Sequence, residues 1–278
     1  MSMEGKICIV TGANSGIGKA TAIGLAKMNA TVVMLCRSKE TGDETQKEII
    51  ELTGNNKVDL MLCDLSSQKE IRNFATEFQK KYQNLHVLIN NAGVMKKQGA
   101  KSTDGYEMNF AVNHLAPFLL TNLLLEILKK SAPSRIINVS SAAHRMAKLN
   151  FDDLQCSNKK MRLMSIYGNS KLALTLVSYE LSRQLEGTNV TVNIVHPGMI
   201  DTNLGRDMSK FSQKFGKGFF KKPEVGAETS IYLASSPEVE GITGKYYTKK
   251  EQKESSKESC NEEYAKKLWK ISEEMTNL

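Results

Sequence analysis

A glycine-rich loop that joins a short apolar strand to a helix is the feature that most constrains this chain. Residues 6 to 11 are mainly apolar and β-branched, which predicts a strand, and glycines follow at positions 12, 16 and 18. Apolar side chains then recur at helical spacing as far as Met28. Backbone N–H groups in such a turn, together with the positive end of the helix dipole, favour an anion. We therefore predict that the loop binds the pyrophosphate of a dinucleotide.

The spacing of these glycines is Gly-x-x-x-Gly-x-Gly, which differs from the better-known Gly-x-Gly-x-x-Gly fingerprint. Three glycines in a loop can equally form nothing more than a tight turn. The order of the predicted elements in the rest of the chain has to decide between the two interpretations.

Predicted strands and helices alternate along the chain. The strands cover residues 6–11, 31–36, 57–63, 86–90, 135–140 and 190–195, and the later helices cover 38–52, 67–81, 103–130, 165–185 and 261–275. In the helix over 38–52, Ile49 and Leu52 are expected to face inward. Alternation with strands that are apolar on both faces predicts a parallel sheet covered by helices on each side. We expect an α/β fold: a single-domain, Rossmann-type, doubly wound parallel sheet with helices on both faces.

The boundaries of the domain follow from the composition of the C-terminal part. Residues 1–248 are expected to form the domain. Residues 249–257 are rich in lysine, glutamate and serine, which predicts an exposed loop. A closing helix with Tyr264, Leu268, Ile271 and Met275 on one stripe is then expected to dock on the same domain.

Charge and cysteine usage narrow the function classes only partly. The net charge of +8 suits a polyphosphate ligand, but it equally suits nucleic acid or an anionic membrane surface. The five cysteines are scattered and odd in number, which indicates free thiols in a reducing compartment. The four histidines are too dispersed to predict a metal site. We see no targeting segment and no span of about 20 apolar residues, so the expected location is cytoplasmic.

Tyr167 and Lys171 are four residues apart on a predicted helix and share a face. A tyrosine ordinarily ionises near a pKa of about 10, and a nearby ammonium group lowers that pKa because it favours the phenolate. Tyr167 is therefore a candidate general acid/base. The pair by itself is weak support, since tyrosine and lysine at this spacing also occur on solvated helices.

Six short motifs occur together in one order along nearly the whole chain: Thr11–Gly18, Asn90–Gly93, Val112–His114, Asn138–Ser141, Tyr167–Lys171 and His196–Gly198. With these motifs the chain resembles the short-chain dehydrogenase/reductase family. Through residues 113–121, 152–155 and 268–272 it is most similar, within that family, to the retinol dehydrogenase branch.

The resemblance implies four catalytic roles. Tyr167 would pass a proton to or from the substrate oxygen, and Ser141 would hydrogen-bond that oxygen. Lys171 would bind the nicotinamide ribose and lower the pKa of Tyr167, and Asn113 would hold a water that continues the proton relay. The family pattern favours Ser141 over Ser140, which is expected to pack or to cap. Donors fixed near an oxygen that gains charge stabilise it most effectively.

The end of the second strand predicts NADP rather than NAD. Enzymes that prefer NAD usually place an acidic residue there, whereas this strand is followed by Arg37. Arg37 can pair with a 2′-phosphate in a forked geometry, and Lys19 could add a second positive charge. An ordinary exposed arginine is the alternative. The loop and the resemblance together predict these cofactor contacts: Gly12, Asn14, Ser15, Gly16, Ile17, Gly18, Lys19, Arg37, Asp64, Leu65, Asn91, Ala92, Gly93, Tyr167, Lys171, Pro197, Gly198 and Thr202.

Large apolar side chains interleaved with lysines follow the last motif, from Met199 to Phe220. Their helical spacing predicts a lid, over about residues 199–222, above a lipophilic pocket. The alternatives are a helix packed on the sheet and a helix that contacts a membrane surface through its lysines.

The function expected from these features is NADP(H)-dependent interconversion of an alcohol and an aldehyde or ketone, with a lipophilic substrate such as a retinoid or a long-chain compound. A catalytically idle NADP-binding regulatory or scaffold protein is the alternative. A nucleic-acid binder would rest on charge alone, so no nucleic-acid partner is predicted. Retinol dehydrogenases of this branch often carry an N-terminal membrane anchor, and its expected absence here counts against retinoid as the substrate. The oligomeric state is left open.

Overall fold

The computed structural model describes residues 2–157, 161–200 and 221–278. Strands in this part of the chain form one eight-stranded sheet in the order β3-β2-β1-β4-β5-β6-β7-β8. All neighbouring strands are parallel except β7 and β8, which are antiparallel. The predicted Rossmann-type fold class is therefore confirmed. The strands are β1 (Ile7–Thr11), β2 (Thr31–Cys36), β3 (Val58–Leu62), β4 (Val87–Asn90), β5 (Ser134–Val139), β6 (Val190–Val195), β7 (Lys245–Thr248) and β8 (Glu251–Lys253).

Helices cover both faces of the sheet, because each strand sends alternate side chains to opposite sides. In β1, Ile9 joins the core on one face, while Cys8 and Val10 join the core on the other. The helices are α1 (Gly16–Ala26), α2 (Lys39–Thr53), α3 (Gln68–Lys81), α4 (Met108–Phe110), α5 (Ala116–Leu123), α6 (Leu125–Lys130), α7 (Leu163–Gln184), α8 (Pro223–Ser235) and α9 (Glu262–Thr276).

The two cores divide the helices into two layers. Buried side chains of α3, α5, α6, α7 and α9 pack on one face of the sheet. Buried side chains of α1, α2 and α8 pack on the other. Cys8, Cys36 and Cys63 are buried in these cores, whereas Cys260 is exposed.

Two predicted helical features were wrong. The helix predicted over 103–130 begins only at Met108, widens into a π-helical turn at Ala111–Leu115 and breaks at Leu124. Apolar periodicity continues through such local changes in winding, and for that reason it cannot reveal them. Leu52 is 58% exposed, whereas Ile49 is fully buried, because α2 turns only a narrow stripe toward the sheet.

The C-terminal part differs from the expected exposed loop. β7 was not predicted, and β8 lies inside the charged segment 249–257. β8 is exposed along its length and holds its place through pairing with β7 rather than through burial. α9 packs its predicted stripe on the core, with Trp269 in an edge contact with Phe118 at 4.8 Å between ring centroids.

The predicted lid over 199–222 falls mostly on residues 201–220, which lie outside the described residues. At its two ends, the N–H of Lys221 donates to the carbonyl of Met199 at 3.0 Å. Within the described ranges, no helix is long and apolar enough to cross a bilayer.

Candidate active site

A cleft of about 820 Å³ opens beside the carboxyl ends of β1 and β4. The strand order reverses there, since β1 leads to β2 and β3 on one side and β4 begins the other side. Ligands of open parallel sheets bind at such a point. Predicted site residues that line the cleft are Gly12, Asn14, Ser15, Gly16, Ile17, Gly18, Lys19, Arg37, Asp64, Leu65, Asn91, Ala92, Gly93, Tyr167, Lys171 and Pro197.

Three of the predicted residues that the structure describes are not part of this lining. Asn113, Ser141 and Gly198 lie next to lining residues in the described chain. Thr202 lies outside the described residues. Most of the predicted residues therefore line one cleft. The role of each residue there stays a prediction.

Small residues let the glycine loop approach α1 and β4 closely. Gly12 and Gly16 have φ angles of 66° and 54°, which other residues rarely adopt. A Cβ atom on Gly18 would stand 2.2 Å from the Gly12 carbonyl oxygen and 2.5 Å from Asn91 Nδ2. The Ser15 side chain does not cap α1. No described side chain caps the first turn of this helix, so its N–H groups are available to bind an anion.

Hydrogen bonds tie the loop to its neighbours. The buried Thr11 hydroxyl oxygen accepts the N–H of Asn91 at 2.9 Å and the N–H of Ala92 at 2.8 Å. Asn91 Nδ2 donates back to the Thr11 carbonyl at 2.8 Å. On the other side, Asn14 Nδ2 donates to Thr41 Oγ1 at 2.8 Å. The loop is thus fixed to β4 and to α2 by protein groups alone.

The two candidate cations for a 2′-phosphate differ in their surroundings. Arg37 follows β2, lines the cleft and is exposed, and within the described residues it forms no ion pair. Lys19 Nζ lies 2.5 Å from Glu48 Oε2, with both side chains partly exposed. The Glu48 carboxylate therefore offsets the charge of Lys19, and Arg37 is the stronger candidate.

Asp64 and Leu65 line the cleft beyond the end of β3. Asp64 Oδ1 accepts the N–H of Ser66 at 2.9 Å, and the Asp64 N–H donates to Glu70 Oε2 at 2.6 Å. Leu65 packs partly against the core. Both residues are held where the resemblance expects the adenine, and that contact stays a prediction.

Tyr167 and Lys171 lie on one face of α7, and both are buried, at 5% and 3% exposure. Burial raises the pKa of Tyr167 to about 12, although a hydrogen bond with the Ser141 side chain opposes this rise. Burial also lowers the pKa of Lys171 to about 8. For Tyr167 in this structure, burial of the phenol sets the direction of the pKa shift, and the predicted lowering of this pKa by Lys171 stays a prediction. Desolvation of the phenolate prevails, and Lys171 Nζ donates to the Val139 carbonyl at 2.8 Å.

Asn113 lies in the π-helical turn and is fully buried. Its Oδ1 accepts the N–H of Val94 at 2.8 Å, and its Nδ2 donates to the Val94 carbonyl and to Ser170 Oγ, each at 2.9 Å. The amide therefore fixes the segment after β4 against α7. The predicted contact with a relay water stays a prediction.

Sequence reasoning missed several residues at the cleft. Ser38, Thr41 and Thr45 line it from the start of α2, and Thr45 Oγ1 donates to the Asn14 carbonyl at 3.3 Å. The spacing of the two threonines, four apart on a helix that follows Arg37, is a signal that could have found them. Ser140 also lines the cleft, but its hydroxyl is bonded to Thr175 Oγ1 at 2.9 Å, as a packing role requires.

Among the residues that the structure describes, no group of three or more histidine, cysteine, aspartate or glutamate side chains could hold a metal ion.

Comparison with known proteins gives a consistent result across nearly the whole chain. The model of the short chain dehydrogenase family matches residues 6–213. Human retinol dehydrogenase 14 is 44% identical, over 99% of this chain and 88% of the relative. Human retinol dehydrogenase 13 is also 44% identical, over 100% of this chain and 86% of the relative.

Solved structures agree with these relatives. An uncharacterized protein from Mycobacterium paratuberculosis superposes with a TM-score of 0.81 at 30% identity, covering 99% of this chain and 95% of the other. The RhlG/NADP active-site complex of Pseudomonas aeruginosa has a TM-score of 0.72 at 27% identity, covering 88% of this chain and 94% of the other.

We predict that Gly18→Ala destabilises the glycine loop. The new methyl group would meet backbone and amide atoms that cannot move aside, and such overpacking costs about 1 to 3 kcal/mol. Gly24→Ala, on the same helix, is the matched control. Its Cβ would meet Cδ1 of Ile231 at 2.3 Å, the end of a flexible side chain, and helix propensity there favours alanine. Urea unfolding of both variants measures the difference, and equal free energies of unfolding would contradict the prediction.

Proposed function

The chain belongs to the short-chain dehydrogenase family, in its retinol dehydrogenase branch, and from this we propose that it is an NADP(H)-dependent oxidoreductase that interconverts an alcohol and an aldehyde or ketone. The observation that carries the proposal is the position of Tyr167 and Lys171 in the same cleft as the glycine loop. A proton donor and a dinucleotide cradle on one surface are what this reaction requires.

The residues of the cleft fit a dinucleotide. Gly12 and Gly18 let the loop, the end of β4 and the start of α1 pack closely together, and the start of α1 offers N–H groups for the pyrophosphate. Arg37 would hold the 2′-phosphate that distinguishes NADP from NAD. NADP(H), when bound, supplies or accepts the hydride.

The chain's own groups handle the proton. With its pKa raised to about 12, Tyr167 keeps its proton at neutral pH and can donate it to a carbonyl oxygen. The Ser141 hydroxyl, whose interaction with Tyr167 favours the phenolate, would donate to the same oxygen. A protonated Tyr167 favours carbonyl reduction. In the reverse direction the tyrosine must first lose its proton, and the positive charge of Lys171 would support that loss.

We propose a lipophilic substrate. Met95 lines the cleft and packs with Ala143 and Tyr167 in a small apolar cluster. Met146 and Met199, in the two segments that follow Ser141 and Pro197, are 80% and 62% exposed. Exposed apolar side chains of this size suit an apolar ligand. The relatives' name, retinol dehydrogenase, supports the same substrate class.

The first expected result concerns the cofactor. Arg37→Ala should weaken NADPH binding by about 10-fold or more, because a hydrogen bond to a charged group contributes about 1.5 to 3 kcal/mol. NADH binding should change little, since NADH lacks the 2′-phosphate. Fluorescence titration with both cofactors measures the two affinities.

Lys39→Ala is the matched control for Arg37→Ala. It removes the same charge two residues away, from a side chain that is paired with Asp43. Glu48→Gln in the same titration should strengthen NADPH binding, because it releases Lys19. An equal loss of NADPH affinity in the Arg37→Ala and Lys39→Ala variants would show that NADPH binding depends only on the overall positive charge of this region.

The second expected result concerns the proton. Tyr167→Phe keeps the ring and removes the hydroxyl, so turnover should fall by at least about 1,000-fold while NADPH affinity stays within about twofold. Tyr232→Phe, on α8 and outside the cleft lining, should leave both unchanged. Turnover is followed by NADPH absorbance. A Tyr167→Phe protein with near-normal kcat would refute the assigned role.

The third expected result concerns the substrate. With NADPH and linear aldehydes from C4 to C10, kcat/KM should rise about 50-fold if half of the roughly 0.8 kcal/mol per buried methylene is realised. Met95→Ala should flatten the series, whereas Leu62→Ala, on the edge strand and outside the cleft lining, should not. A flat series in the unmodified protein, or a preference for short or sugar-like carbonyls, would contradict the lipophilic pocket.

A further inference from the structure

A histidine that the proposed mechanism does not use is buried directly behind Ser141. His144 is fully buried, in the 3₁₀-helix Ala142–Met146 that begins after the serine. Its Nδ1 lies 2.6 Å from the Ser141 carbonyl oxygen. Its Nε2 accepts the backbone N–H of Ser256 at 3.3 Å. The imidazole ring therefore bridges the serine and a segment more than a hundred residues later in the chain.

The two partners determine where the proton of the neutral ring lies. A backbone N–H can only donate, so Nε2 must be the unprotonated nitrogen. A carbonyl can only accept, so Nδ1 must carry the hydrogen and donate it to Ser141. Burial lowers the pKa of His144 and keeps the ring neutral at ordinary pH. Both hydrogen bonds exist together in this one tautomer alone.

The segment that meets His144 on its far side is held by further polar contacts. The hydroxyl of Tyr179, on α7, donates to Ser255 Oγ at 2.7 Å. The Arg145 guanidinium donates to the carbonyl of Glu254. Residues 254–260, which we call the C-terminal strap, then lead into α9 through its N-cap residue Asn261. The strap thus connects α9 with the back of the site.

The place of Ser141 depends on this contact. The Ser141 carbonyl accepts two hydrogen bonds from the same residue, one from the His144 N–H at 3.2 Å and one from Nδ1. The Ser141 hydroxyl accepts the Ala143 N–H at 3.2 Å and faces Tyr167. On the α7 side, a Cβ on Gly168 would stand 2.8 Å from the Ala143 carbonyl oxygen, so the turn is already packed closely against the helix. A small shift of the turn would move the hydroxyl relative to Tyr167.

We propose that His144 is a positioning residue for Ser141, and that through it the C-terminal strap sets the position of the serine hydroxyl. The inference rests on the proposed function, in which Ser141 contacts the substrate oxygen. His144 itself touches no reacting atom. Its donor bond orients the serine, and its acceptor bond fixes the ring on the strap.

Three substitutions separate the two bonds. In His144→Asn the side-chain amide nitrogen takes the place of Nδ1 and can still donate to Ser141, but nothing reaches Ser256. In His144→Gln the amide oxygen takes the place of Nε2 and can still accept from Ser256, but the donor to Ser141 is lost. His144→Leu removes both bonds and keeps comparable apolar volume.

Steady-state kinetics with NADPH and a medium-chain aldehyde give the first readout. We expect kcat to fall at least about tenfold in the Gln and Leu variants, because small displacements of a group at the reacting centre are costly, and to stay within about threefold in the Asn variant. NADPH affinity should be unchanged in all three. Equal kcat in the Asn and Gln variants, both near that of the unmodified protein or both reduced, would overturn the proposal.

Hydrogen exchange of peptides covering residues 254–260 gives a second readout that needs no substrate. Exchange should accelerate in the Asn and Leu variants, which leave the Ser256 N–H without its acceptor, and should stay unchanged in the Gln variant. Uniform exchange across the three variants would also overturn the role of the strap. Ser141→Ala separates this inference from the proposed function. If Ser141→Ala retains turnover, the assigned role of the serine fails, whereas loss of turnover there with normal Gln kinetics refutes His144 alone.

Discussion

The hydrogen bonds between the ends of β1 and β4 are the contact on which the site depends. Two adjacent parallel strands that lead away in opposite directions leave a gap at their carboxyl ends. The Thr11 hydroxyl and the Asn91 side chain bridge that gap from both sides. These hydrogen bonds hold the glycine loop against the end of β4 and so define one wall of the cleft.

Burial shifts the pKa values of Tyr167 and Lys171 more than nearby charges do. Tyr167 and Lys171 both lie in a low-dielectric environment that disfavours their charged forms. Tyr167 therefore keeps its proton, and Lys171 loses its proton more readily than a solvated lysine would. Lys171 is anchored to the carbonyl of Val139, at the end of β5. The Lys171 ammonium group is therefore positioned by the end of β5. The Tyr167 hydroxyl is positioned by α7.

The C-terminal part of the chain contributes to the same region from behind. β7 extends the sheet beside β6, α9 packs on α7, and the C-terminal strap meets His144. These contacts surround the turn that carries Ser141, while the described residues that line the cleft end at Pro197. In the described chain, support and lining thus come from different parts of the sequence.

The fold class follows from the sequence pattern, because strands apolar on both faces that alternate with helices leave few arrangements other than a doubly wound sheet. β2 and β6 were predicted at their observed bounds, and the glycine loop, Arg37 and the Tyr167–Lys171 pair were identified from local pattern. Local pattern works for these features because each depends on a few neighbouring residues.

Tertiary structure alone decided the features that depend on distant partners. Whether the pKa of Tyr167 rises or falls depends on how deeply α7 is buried. Whether Lys19 is free depends on Glu48, which lies on another helix. Charged β8 forms only because β7 is beside it, and the π-helical turn at Asn113 has no periodic signature. His144 has no local signature in the sequence, since its partner Ser256 is brought to it only by the folding of the whole domain.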